Sequence, residues 1–210
     1  MSYIIRQAMS ILGNHEDRRR VFEAIRGTPG TPNELFDLNA IIPMPESIRK
    51  MLEFATGEAP DEARKSPKAL AEFERRRHEA SAAAWVETGY DCADEWARHS
   101  WGAECNVYAI ERRKEIGDLN EHLVFSSERQ AIFPVAKAIS RLFPEIMVEL
   151  VFGNAEEKFV GRAHYVAGRG LCLESGWYSD AGKMICARLW GTGTEDADDE
   201  VVDFTHLPIS

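Results

Sequence analysis

The chain has little that would commit it to a membrane, a secretory route or a nucleic acid. No apolar run approaches the ~20 residues that a spanning helix requires. Met1-Ser2-Tyr3-Ile4-Ile5-Arg6 puts no basic segment ahead of an apolar core, so no signal peptide is expected. Basic residues are outnumbered, 25 Lys and Arg against 35 Asp and Glu, for a formal net charge of -10. Phosphate recognition relies on clustered Lys and Arg, so this balance speaks against nucleic acid and anionic lipid. Cysteine is sparse: Cys92, Cys105, Cys172 and Cys186 never form a C-x-x-C pair and have no histidine at zinc-finger spacing. They read as reduced core residues of a cytoplasmic protein, and no metal or cofactor is expected.

Catalytic signatures are missing as well. There is no G-x-S-x-G, no P-loop, no G-x-G-x-x-G after a strand, no H-E-x-x-H and no EF-hand loop. Gly168-Arg169-Gly170 reads as a turn between strands rather than a phosphate cradle, because no helix follows it. No internal repeat or low-complexity stretch stands out.

What is present is a hydrophobic fraction of 44% over 210 residues, enough for a real core. Residues 3–12 alternate as a strand. Asn14 then caps a helix with Glu16 and Asp17 in its first turn and Val21, Phe22 and Ile25 on its buried side. Phe36, Leu38, Ala40 and Ile42 alternate with Asp37, Asn39 and Ile41 and read as a second strand over 36–42. A helical block fills about residues 45–101. Its longest helix, 66–89, carries Arg75-Arg76-Arg77 among Glu72, Glu74 and Glu79, which reads as a solvated face. A shorter helix follows Asp91. Strands at 107–112 and 123–125 make a hairpin. Ser127 with Gln130 looks like a capping box, and Pro134 opens a helix that ends at Pro144. Strands are predicted at 146–152, 159–167, 171–178 and 184–190.

With the block set aside, the order is βαββαβ. The predicted fold is α+β: a ferredoxin-like antiparallel sheet with helices 16–26 and 134–143 on one face, an inserted helical block, and a C-terminal β extension. Residues 1–193 are expected to form a single domain, and residues 194–210 an acidic tail.

The stretch from His99 to Tyr108 joins the block to the returning strand. Trp101, Gly102 and Asn106 crowd into it, and a structural corner is one reading: Gly102 as a left-handed stop, Trp101 packed back on the helix. Partner binding through Trp101, Asn106 and Tyr108 is the other. His99, Glu104 and Cys105 are the one group that could bring a base, an acid and a thiol together, with Arg98 and His99 supplying the electropositive setting that a reactive thiol needs. A third reading puts RNA on an uncovered sheet face through Arg162 and His164, with Tyr108 and Tyr165 as stacking platforms.

Four pieces of the chain resemble a protein family found in phages and conjugative plasmids, typified by a protein of an aphid-endosymbiont phage. They are residues 36–45 (FDLNAIIPMP), Trp101-Gly102 with Asn106 and Tyr108, Pro134 through Phe143-Pro144, and the strand with Gly161, Ala163 and Tyr165. The resemblance implies a ferredoxin-like fold and a mobile-element origin, and it implies no activity. Two departures mark this chain. Cys105 stands where the family has a tryptophan, and Ala131-Ile132-Phe133-Pro134 replaces a Trp-Ser-Pro-Pro type helix entry.

The functional expectation is therefore a mobile-element accessory protein acting by protein–protein interaction, with an acidic surface directed at a basic, nucleic-acid-binding host protein and a defence system as its target. Glu195, Asp196, Asp198, Asp199 and Glu200, with no basic residue between them, are the expected carriers of that surface. The alternatives are a small hydrolase or transferase using His99, Glu104 and Cys105, or an RNA-binding module.

Overall fold

The structure, a computed structural model, describes residues 3–54, 59–64, 66–114 and 121–191. Strand β1 (Ile4–Leu12) is followed by helix α1 (His15–Ala24), which starts where Asn14 Oδ1 accepts the Asp17 N–H at 2.9 Å. A one-turn helix, α2 (Leu38–Ile41), leads into α3 (Glu46–Met51), a 3-10 turn (Leu52–Phe54), α4 (Asp61–Arg64), α5 (Pro67–Thr88) and α6 (Ala93–Ser100). Then come β2 (Tyr108–Lys114), β3 (Glu121–Glu128), α7 (Phe133–Leu142), β4 (Met147–Asn154), β5 (Phe159–Val166), β6 (Arg169–Gly176) and α8 (Asp180–Trp190).

The strands form one six-stranded sheet in the order β2-β3-β1-β4-β5-β6, with every neighbour antiparallel. β1 is central and buried on both sides, and its alternation divides the molecule into two cores. Ile5, Met9 and Ile11 face α1 and α7, together with Phe125, Leu150 and Tyr165 from neighbouring strands. Ala8, with Val124, Val151 and Val160, faces Ile185 and Leu189 of α8. The fold is α+β, but helices cover both faces of the sheet, not one. The two helices expected to share a face, α1 and α7, do so.

Two expected strands are helical. At residues 36–42, Phe36 and Leu38 are buried as an alternating strand would place them. Local hydrogen bonding overrides the alternation. Asp37 Oδ1 accepts the Asn39 N–H at 2.9 Å and Asn39 Oδ1 accepts the Met44 N–H at 3.0 Å, curling the segment into α2. The second strand of the sheet is therefore β2, and the helical block lies before it. At residues 184–190 the chain forms α8, capped by Ser179 Oγ on the Gly182 N–H at 3.0 Å, with Gly182, Ile185 and Leu189 turned inward at helical spacing. The C-terminal extension beyond β4 is thus two strands, β5 and β6, and one helix, α8.

The helical block divides. Ile48 of α3 and Ala93, Trp96 and Ala97 of α6 join the core under α1 and α7, whereas α5 buries only Ala84 and packs outward on α3. Ser127 does not form a capping box: its hydroxyl donates to the Gln130 carbonyl at 2.6 Å and receives a hydrogen bond from Gln7 Nε2. Gln7, buried within β1, uses its Oε1 to hold the Ile132 N–H at 3.0 Å, and so fixes the entry to α7.

Candidate functional site

Trp101 closes α6, and its ring is 2% exposed. It packs edge-to-face on Trp96 at 5.2 Å, and its Nε1–H donates to the Ile42 carbonyl at 2.8 Å. Gly102 follows at φ +81°, where a Cβ would stand 2.5 Å from the Ala131 carbonyl oxygen, so only glycine fits without displacing the backbone ahead of α7. Asn106 is half-buried and ties the start of α2 to the start of β2. Its Oδ1 accepts the Leu38 N–H at 3.1 Å and the Val107 N–H at 3.0 Å, and its Nδ2 donates to Asp37 Oδ1 at 2.7 Å. Trp101 and Asn106 thus spend their polar groups inside the chain. Tyr108 opens β2 half-buried, its hydroxyl pushed up first by burial and then by Glu128 and Cys105.

His99, Glu104 and Cys105 are not joined by any hydrogen bond or ion pair. His99 is exposed and leans on the Tyr90 ring at 5.4 Å. Glu104 is held by Arg129 Nε at 2.7 Å and by Arg98 Nε at 3.7 Å. The expected electropositive setting for Cys105 is the reverse of what is found. Burial pushes its thiol up, and Glu128, Glu104 and Asp94 push it further. A thiolate, the form that attacks, is disfavoured there. None of the four cysteines is a core residue: Cys105 and Cys172 are exposed, and Cys92 and Cys186 are half-buried. Among the described residues no group of His, Cys, Asp and Glu is arranged to hold a metal ion, and no helix is long and apolar enough to cross a membrane.

The face read as an RNA platform is partly covered by α8. Arg162 and His164, half-buried beside that helix, gather around Glu149, a carboxylate only 12% exposed that no sequence signal marked. Arg188 of α8 reaches Glu149 Oε2 at 2.5 Å and also hydrogen-bonds the Ser10 hydroxyl, while His164 Nε2 stands 3.2 Å and Arg162 Nε 3.5 Å from Glu149 Oε1. Burial alone would raise the Glu149 carboxyl. Arg188, by charge and hydrogen bond, with Arg162 and His164, outweighs that and holds it below its ordinary value. Tyr165 points to the opposite face, its hydroxyl pushed up to about 12 by burial and then by Cys172, so it offers no stacking surface beside Arg162.

A cleft of about 250 Å3 opens beside the end of α8, lined by Arg6, Ser126, Gly153, Asn154 and Trp190 among others. Arg6 is committed within it, to Glu111 at 3.0 Å and to the Ala109 carbonyl at 3.3 Å. The expected acidic carriers, Glu195, Asp196, Asp198, Asp199 and Glu200, lie outside the described residues.

No family model matches this chain, and no curated protein matches it. Among solved structures it is similar to the crystal structure of the protein api92 from Yersinia pseudotuberculosis, of the family DUF1281, at 10% identity and a TM-score of 0.47, over 85% of this chain and 99% of that one.

Proposed function

We propose that this chain is a phage- or plasmid-derived accessory protein that works by binding another protein, presenting an acidic surface to a basic, nucleic-acid-binding host factor and so blunting a defence system. The observation that carries this reading is how the charge is spent. Arg75 is paired with Glu72 and Glu79, Arg77 with Glu74, Arg98 and Arg129 with Glu104, and Arg162 and Arg188 with Glu149. These cations are matched within the fold, while the whole chain keeps a net charge of -10 for an outside partner to meet. The RNA and thiol-enzyme readings have less support: Arg162 and His164 are turned to Glu149 beside α8, and acidic neighbours surround Cys105. The phage or plasmid origin rests on the family resemblance of residues 36–45 and the Trp101–Tyr108 corner.

The fold that goes with this reading is ferredoxin-like. Its support is the β2-β3-β1-β4 order, reached through β1, α1, β2, β3, α7 and β4, with α1 and α7 on one face.

The test is affinity capture from host lysate with identification by mass spectrometry, followed by binding of the captured protein at two salt concentrations. The expected partner carries a basic surface, and association is fast at low salt and weakens as salt rises. Binding that does not respond to salt overturns the electrostatic reading.

A further inference from the structure

The two edges of the sheet differ in how they are finished. β2 is guarded: its register with β3 slips between Tyr108 and Glu111, Ala109 sits at φ +50°, and Glu111, Arg112 and Arg113 follow. β6 has no such device. It pairs with β5 without a register shift, contains no proline or lysine, and is exposed along its length, with Leu171 and Leu173 at 63% and 57%.

The turn before β6 fixes which backbone groups face outward. Val166 and Arg169 flank Ala167 and Gly168, both at positive φ (+49° and +75°), the geometry of a two-residue hairpin whose flanking pair exchanges both hydrogen bonds. Alternation then turns the N–H and C=O groups of Leu171 and Leu173 toward β5. Those of Gly170, Cys172 and Glu174 point away from the sheet, and no described strand pairs with them.

We propose that a second copy of this chain pairs antiparallel along β6, with the two-fold axis at Cys172, joining the two sheets into one. In this register Leu171 of each copy stands opposite Leu173 of the other, so four leucines meet on the face that α8 covers. Gly170 stands opposite Glu174. On that opposite face the Tyr165 ring covers Gly170 and the Arg141 side chain lies against Gly168, so each Glu174 enters the neighbourhood of the other copy's Arg141. Neither Arg141 nor Glu174 has an ion-pair partner among the described residues. Arg169 meets Ser175, so no like charges oppose. The neighbouring registers lose this match. An axis at Leu171 sets Arg169 against Leu173, and one at Leu173 sets Glu174 against Cys172.

Sedimentation velocity from low to high micromolar protein tests the pairing, with circular dichroism confirming that each variant folds. The wild type is expected to dimerise. Leu173→Lys is expected to remain monomeric with an unchanged spectrum. Glu174→Arg is expected to weaken the dimer roughly tenfold, about 1.4 kcal/mol, and Arg141→Glu added to it to restore the affinity. In a Cys105→Ser background a short bis-maleimide is expected to join two copies through Cys172, and Cys172→Ser to abolish the product. Because each copy carries a net charge of -10, raising the salt should strengthen this dimer, the opposite of its effect on a basic partner. A wild type that stays monomeric at high micromolar concentration, a dimer that survives Leu173→Lys, or an exchange that fails to restore affinity overturns the proposal.

Discussion

Asn106 shows what one side chain does for this fold. Its three hydrogen bonds reach Leu38, Val107 and Asp37, so it holds the α2 segment against the start of β2. Asn106→Asp would place a second carboxylate where the amide now donates to Asp37. Two carboxylates at that separation cannot both ionise cheaply, so the folded pair would take up a proton at a pH above the ordinary aspartate range. A raised carboxyl pKa costs stability as pH rises, because the unfolded chain gives up its proton first. The expected outcome is a variant closer to wild type in melting temperature at pH 4 than at pH 7. An equal deficit at both would show that geometry, and not charge, is what Asn106 supplies. Trp101 acts through packing. Trp101→Ala should cost about 3–5 kcal/mol, read by denaturant titration, because it empties a ring-sized site and strands the Ile42 carbonyl.

At the scale of elements, α8 is the piece whose attachment depends most on charge. Its apolar contacts are few, and Arg188 carries it onto Glu149 and Ser10. The Glu149 carboxyl is depressed in the folded state, so its contribution is present at neutral pH and is lost as pH falls below the ordinary glutamate range. Glu149→Gln should lower the melting temperature at pH 7 and flatten the loss of stability on acidification. Melting curves from pH 7 down to pH 3 for both proteins decide it, and parallel curves would mean that α8 is held by its apolar face alone. This helix also marks the limit of reading elements from sequence. Asn14 and Pro134 announced α1 and α7 because caps and helix-opening prolines act within a few residues. Met184, Cys186 and Arg188 alternate like a strand, yet Ser179 stood at a capping distance and Ile185 and Leu189 at helical spacing. Asp37 hid α2 in the same way, since a side chain bonding its own backbone leaves no mark on hydrophobic periodicity. Of the Glu149 cluster only Arg162 and His164 could be grouped from the sequence: Ser10, Glu149 and Arg188 come from β1, β4 and α8, and only tertiary structure brings them together.

For the molecule as a whole, the charge balance is legible in the composition and its layout is not. Converting Glu195, Asp196, Asp198, Asp199 and Glu200 to Gln and Asn should slow association with a basic partner, leave dissociation nearly unchanged and reduce the salt slope. Stopped-flow binding at two ionic strengths measures both quantities. An unchanged on-rate and slope would rule these five residues out as the binding element.

The central place of β1 bears on how the chain comes to be folded. The hairpins β4–β5 and β5–β6 close between near neighbours, but Gln7 meets Ser127 across 120 residues. Closing so long a loop is entropically costly, and pairing of this kind slows folding. At roughly 5–20 residues per second of synthesis, the N-terminal strand waits on the order of ten seconds for β3 to be made, and longer for β4. During that time Ile5, Met9 and Ile11, all buried in the finished fold, have no sheet to enter and stay exposed.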